Sequence, residues 1–191
     1  MSFQPNLQSK TIKSIFSPTS MMYQIEAIVL KKNRISDNRL VFTCFSSEYG
    51  KIDMFYTESK WSPKLDTLSH FTGRIMTKEK NTLTQIYKMS SFASSNTYAI
   101  YDIAGWSVSI LYALLAHGLP YPKLFQLLTS ILEKETLTLH DFLLFLIQTC
   151  RDFGITQCDI REYAVRLQDL NEHSKIRLEI ENWVNSYKIS V

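Results

Sequence analysis

Between positions 31 and 74 the sequence sets two candidate stacking aromatics, Tyr56 and Trp61, among a series of cations. Lys31, Lys32, Arg34 and Arg39 bracket one turn, Lys51 follows a glycine, Lys60-Trp61 and Lys64 share a loop, and Arg74 stands further on; Tyr56 and Trp61 are the flat side chains. Together these residue types can bind nucleic acid. Ammonium and guanidinium groups track phosphates, and each base stacked on an aromatic ring contributes about 1 to 3 kcal/mol. Trp61, between Lys60 and Ser62-Pro63 in a loop, has no core to enter and is the first candidate for stacking. Tyr56 has the alternative use of closing a hydrophobic core, and surface lysines also serve solubility.

Other chemistry finds little footing. There is no Gly-rich phosphate loop, no nucleophile elbow and no pair of metal-binding histidines at helical spacing. Asp37, Glu48 and Asp53 fall in turns and at a strand edge, where capping and solvation suit them better than acid-base work. The sequence therefore predicts no enzyme, no catalytic residue and no cofactor. Cys44, Cys150 and Cys158 are odd in number and lack C-x-x-C spacing, which argues against a disulfide framework. His70, His117, His140 and His173 are too scattered to complete a zinc set with them, so no metal site is expected.

The net charge of +3 conceals an asymmetry. Residues 1–90 hold thirteen Lys or Arg against seven acids, and residues 91–191 hold eight against eleven. An acidic partner for the first half follows, with nucleic acid the commonest. With 45% hydrophobic and 20% charged residues, the chain is too apolar to remain disordered. Its longest nearly apolar stretch, Ile103 to Ala116, is interrupted by Gly105, Ser107 and Ser109. That stretch is shorter than a bilayer-spanning helix, which needs roughly 20 residues.

The elements that must position these residues are legible from their periods. Residues 1–21 read as a loose tail or as a start site placed too early, Met21 and Met22 standing directly before the first structured run; a basic, Ser-rich transit peptide is the alternative. From 22 to 94 the pattern is β: Tyr23 to Lys32, Arg39 to Ser46, Lys51 to Thr57, His70 to Lys78 and Thr82 to Met89. In the second run Leu40, Phe42 and Cys44 share one face and Val41, Thr43 and Phe45 the other, so both faces meet apolar surface. Lys80-Asn81 marks a hairpin. Five short strands with a longer link from Glu58 to Ser69 meet the requirements of an OB-type barrel.

From 95 to 191 the period becomes helical. A first helix carries Ile100, Ile103, Ala104, Val108 and Leu111, with Ser95 or Asn96 as its cap and Gly118-Leu119-Pro120 as its stop. Pro122 opens a second helix. Thr138 caps a third that ends at Gly154, and Arg161 to Tyr187 suits one or two amphipathic helices. The expected fold is α+β, a five-stranded OB-type barrel followed by a helical bundle.

Three words in register carry a family resemblance: Ile28-Val29-Leu30, then Ser36-Asp37-Asn38-Arg39-Leu40-Val41, then Glu48-Tyr49-Gly50-Lys51-Ile52. This opening resembles that of the bacterial DNA repair protein family RecO, and Leu124-Phe125-Gln126-Leu127-Leu128 follows the family's helical pattern. The resemblance implies an OB-fold barrel that binds single- or double-stranded DNA, and a helical domain. It also implies a cytoplasmic, nucleoid-associated mediator of recombination and repair that anneals strands and loads recombinase. Its implied partners are a RecR-like protein and the acidic tail of single-strand-binding protein; no membrane is involved. DNA contacts are expected from Lys31, Lys32, Arg34, Arg39, Lys51, Lys60, Trp61, Lys64 and Arg74. Where the family carries a dense basic loop after the third strand, this chain keeps only Lys60 and Lys64. Of the family's zinc cysteines only Cys158 has a counterpart. An adaptor that keeps protein contacts and has lost strong DNA binding is the alternative.

Overall fold

A computed structural model describes residues 21–60, 62–92 and 97–190. Residues 1–20 of the tail assigned to 1–21, Trp61, and the cap candidates Ser95 and Asn96 lie outside the described residues, whereas Met21 belongs to the first strand. The chain is α+β: strands β1 (Met21–Ser36), β2 (Arg39–Ser46), β3 (Gly50–Thr57), β4 (His70–Thr77) and β5 (Asn81–Ser90) precede all the helices. The sheet is mixed and closes in the order β1-β2-β3-β5-β4. Closure depends on the length of β1. Its first half, Met21 to Ile28, pairs with β4, and its second, Ala27 to Ser36, pairs with β2, so one strand serves two walls. A register shift between Val29 and Lys31 turns the strand between these duties, as bulges do where sheets coil. Only β3 and β5 run parallel, meeting at Phe55 and Thr82.

The interior is filled by Ile25, Ala27, Val29, Leu40, Phe42, Cys44, Met54, Tyr56, Phe71, Ile75 and Leu83, joined by Leu65 from the β3–β4 link. The alternation expected in β2 holds, with Leu40, Phe42 and Cys44 turned inward. Outward, Thr43 donates to Asp53 Oδ1 at 2.6 Å and Phe45 is buried beneath the helices.

Five helices follow: α1 (Tyr98–Leu114), α2 (Pro122–Leu132), α3 (Leu139–Asp152), α4 (Ile160–Arg166) and α5 (Glu172–Ser190). Helix α3 is central and touches each of the others. Its sequence explains why: Phe142, Leu143, Phe145, Leu146, Ile147 and Cys150 are buried on nearly every side, as a helix surrounded by helices requires. The capping box at its start is formed, Thr138 Oγ1 accepting from the Asp141 N–H while Asp141 accepts from the Thr138 N–H at 2.9 Å, the reciprocal arrangement that satisfies two otherwise orphaned donors.

Several boundaries differ from the sequence expectation. Strand β1 is longer at both ends because it pairs on two sides. The β4–β5 connection is Lys78-Glu79-Lys80, closed by Thr77 opposite Asn81. Thr97 is the N-cap of α1 and makes no side-chain cap bond. The same helix stops at Leu114, before Gly118, which takes its left-handed conformation (φ +70°) in the following turn.

The helical core reaches onto the barrel, since Ile28, Leu30, Phe45 and Leu68 pack with residues of α1, α2 and α3, while the barrel interior is a second cluster of its own. The Phe45 and Phe125 rings meet edge to face, their centroids 5.4 Å apart, a favoured geometry for aromatic pairs. Burying a side chain of that size contributes about 1.5 to 3 kcal/mol. The same joint carries a backbone bond, from Gly118 N–H to the Lys51 carbonyl at 3.1 Å. Gly50, with φ +62°, lies so close to the α1–α2 connection that a Cβ there would stand 1.9 Å from the Leu119 carbonyl oxygen.

Candidate nucleic-acid interface

Two connections bring cations to one end of the barrel. The β1–β2 turn lies beside the start of the β3–β4 link because Arg39 pairs with Thr57 and Glu58 N–H donates to the Asn38 carbonyl at 2.8 Å. The link is stitched to β1 by bonds from Leu68 N–H to Val29 O and from Val29 N–H to Ser69 O, at 2.8 and 3.0 Å. Leu65 plugs the barrel between these anchors. Arg39, Lys60 and Lys64 are exposed at this end. Lys32 and Arg34 direct bonds to the protein itself. Lys32 Nζ donates to the Leu65 carbonyl at 3.0 Å, and Arg34 donates to the Asp37 carbonyl and pairs with Glu58 at 3.2 Å.

The outer wall of β1, β2 and β3 adjoins this end. Pairing sets Lys31 opposite Thr43, and Thr43 opposite Asp53; the next row is Asn33, Val41 and Phe55. Lys80 Nζ, from the β4–β5 connection, lies 4.6 Å from the Phe55 ring centroid. Lys31 Nζ is 5.2 Å from the ring of Tyr112, where α1 crosses the wall. The Asn33, Val41 and Phe55 row is half-buried or exposed.

Three residues read as DNA contacts or stacking candidates occupy other surroundings. Lys51 is only 9% exposed. Its ammonium donates to the Tyr112 carbonyl at 2.8 Å and lies 4.8 Å from the centre of that ring, tying β3 to α1. Burial holds its pKa below the usual lysine value, because the charged form is the one that loses solvation. Tyr56 does not face solvent: it packs on Phe42 inside the barrel and donates to the Pro63 carbonyl at 3.3 Å. Arg74 is exposed on the wall formed by β4 and β5, away from the β1–β2 pairing. Trp61 is outside the described residues. Phe55, Lys80 and Tyr112 were missed by sequence reasoning, although alternation with the inward Met54 and Tyr56 marks Phe55 as an outward aromatic.

Among the described residues no group of three His, Cys, Asp or Glu side chains has the arrangement of a metal site. No helix there is long and apolar enough to cross a membrane. Neither a protein-family model nor a curated protein matches the chain.

Proposed function

We propose that the chain is a DNA-binding recombination and repair mediator resembling RecO. It binds DNA through an OB-type barrel and aids strand annealing or recombinase loading with protein partners. The observation that carries this reading is the position of Arg39 and Lys60 at the β1–β2 turn of a closed five-stranded barrel, with Lys31 and Lys80 on the adjoining wall that bears Phe55. The strand order, with β1 shared between two walls, supports the OB-type assignment. A RecR-like protein and the acidic tail of single-strand-binding protein are the partners this reading proposes.

Phosphate neutralisation releases counterions, so affinity for a single strand falls with salt at a log-log slope of about −0.7 per phosphate contact. Fluorescence anisotropy with a labelled oligonucleotide tests this. Four or five contacts give a slope of about −3; absence of binding at low salt, or affinity indifferent to salt, defeats the mechanism.

The adaptor reading draws on one observation: Lys32, Arg34 and Lys51 direct their charge to groups of the protein. Capture of a RecR-like protein or an acidic peptide by a chain that fails the salt titration favours it. Loss of every such partner with DNA binding intact removes it.

A further inference from the structure

Strand β5 departs from the two-residue period of its partner. Along β4 the inward residues Phe71, Gly73 and Ile75 are two apart, while the residues they face in β5, Met89, Ile86 and Leu83, are three apart. The ladder absorbs the difference by skipping Tyr87 and Thr84 at two register shifts. Bulges of this kind re-aim side chains, and here they put two outward residues between each inward pair. Thr84, Gln85, Tyr87 and Lys88 are consequently all exposed.

What they present is specific in kind. Tyr87 is 46% exposed on the outside of the barrel, and the Arg74 guanidinium lies 5.7 Å from its ring. Lys88 is next to it in sequence and Gln24 flanks Arg74 on the β1 side. Glu26, the nearby carboxylate of β1, is engaged by His70 Nε2 at 2.8 Å. A cationic surface bearing an accessible ring suits a partner that combines negative charge with flat, unstacked faces. Single-stranded nucleic acid has both; a duplex keeps its base faces inside, and an acidic peptide gives the ring nothing to stack on.

We propose that this β4–β5 wall is a second single-strand contact, in which a base stacks on Tyr87 and flanking phosphates pair with Arg74 and Lys88. The inference rests on the nucleic-acid reading above and adds to it that one chain holds two strands, one on each wall of the barrel. Two strands held on one body are what annealing requires.

Native mass spectrometry of the full chain with short oligothymidylate counts strands per chain. Energy transfer between donor-labelled and acceptor-labelled oligothymidylates reports their presence on one particle. Wild type is expected to carry two. Tyr87→Ala should weaken the second binding step at least about fivefold, the factor equivalent to the lower end of base stacking, and leave the first step unchanged. Tyr87→Phe should restore it, and Lys31→Ala with Arg39→Ala should affect the first step instead. One strand per wild-type chain overturns this inference alone, whereas no strand at low salt overturns the nucleic-acid reading with it. Two strands retained by Tyr87→Ala with Arg74→Ala, or equal loss of both steps in that variant with its thermal melt unchanged, also overturns it. So does displacement of a labelled acidic peptide, and of no oligonucleotide, by the same substitutions.

Discussion

Phe55 and Lys80 form the clearest test of the outer β1–β2–β3 wall, because the ring is only half-buried on the outside of the barrel and an ammonium 4.6 Å from its centre marks a side reached from solvent. Phe55→Ala should weaken oligonucleotide binding by about 1 to 3 kcal/mol, read as a shift in anisotropy midpoint, with little change in the salt slope. Arg39 and Lys51 should separate just as cleanly. Arg39→Ala should lower the slope by about 0.7 and leave unfolding unchanged. Lys51→Ala removes a charge-assisted bond to the Tyr112 carbonyl. It should cost about 2 kcal/mol in a denaturant titration and leave the slope alone. In the sequence these two cations look alike. What separates them is the direction each faces once α1 crosses the barrel, and no spacing within the strands contains that information.

At the scale of elements, the capping box of α3 and the tie between α4 and α5 are self-contained. Thr138→Ala frees the Asp141 N–H. It should destabilise the protein by about 1 kcal/mol, measured by chemical denaturation. Between α4 and α5, Arg166 pairs with Glu172 and Glu179 at 2.8 and 2.7 Å, and the Tyr163 hydroxyl donates to Glu179. Burial first, and then the bond to Glu179, push the Tyr163 phenol from 10.0 to about 12, both causes favouring the neutral form. The folded state therefore keeps a proton that the unfolded state releases. This contribution is complete below the ordinary phenol value of 10.0 and is lost as the pH rises toward about 12, as proton linkage requires. Denaturation midpoints across that window should fall, and Tyr163→Phe should remove this component of the decline. The cap at Thr138 and the Pro122 start were legible because they depend on neighbours in sequence. The period of β5 was legible only in part: Leu83, Ile86 and Met89 stand three apart in the sequence, but that this spacing is fitted to a two-residue period in β4 shows only in the pairing of the two strands.

Across the whole molecule, the decisive feature is the joint between barrel and helices. The change in period near residue 95 was visible, and so was the split in charge, but neither shows that the helical core extends onto one face of the barrel. Ile28, Leu30 and Phe45 lie in β-rich sequence and are buried by helices, so their partners are remote in the chain. Gly50→Ala should strike this joint, because the added Cβ meets a backbone carbonyl and the left-handed backbone disfavours alanine. A loss of several kcal/mol, seen as one cooperative melt at lower temperature and not as two separate transitions, is the expected result. A joint of this kind has a mechanical consequence. With one face of the barrel packed into the helical core, the heading of a strand laid on the barrel would dictate the side from which anything seated on the helices meets it. Polarity along DNA would then be read out as handedness in the assembly.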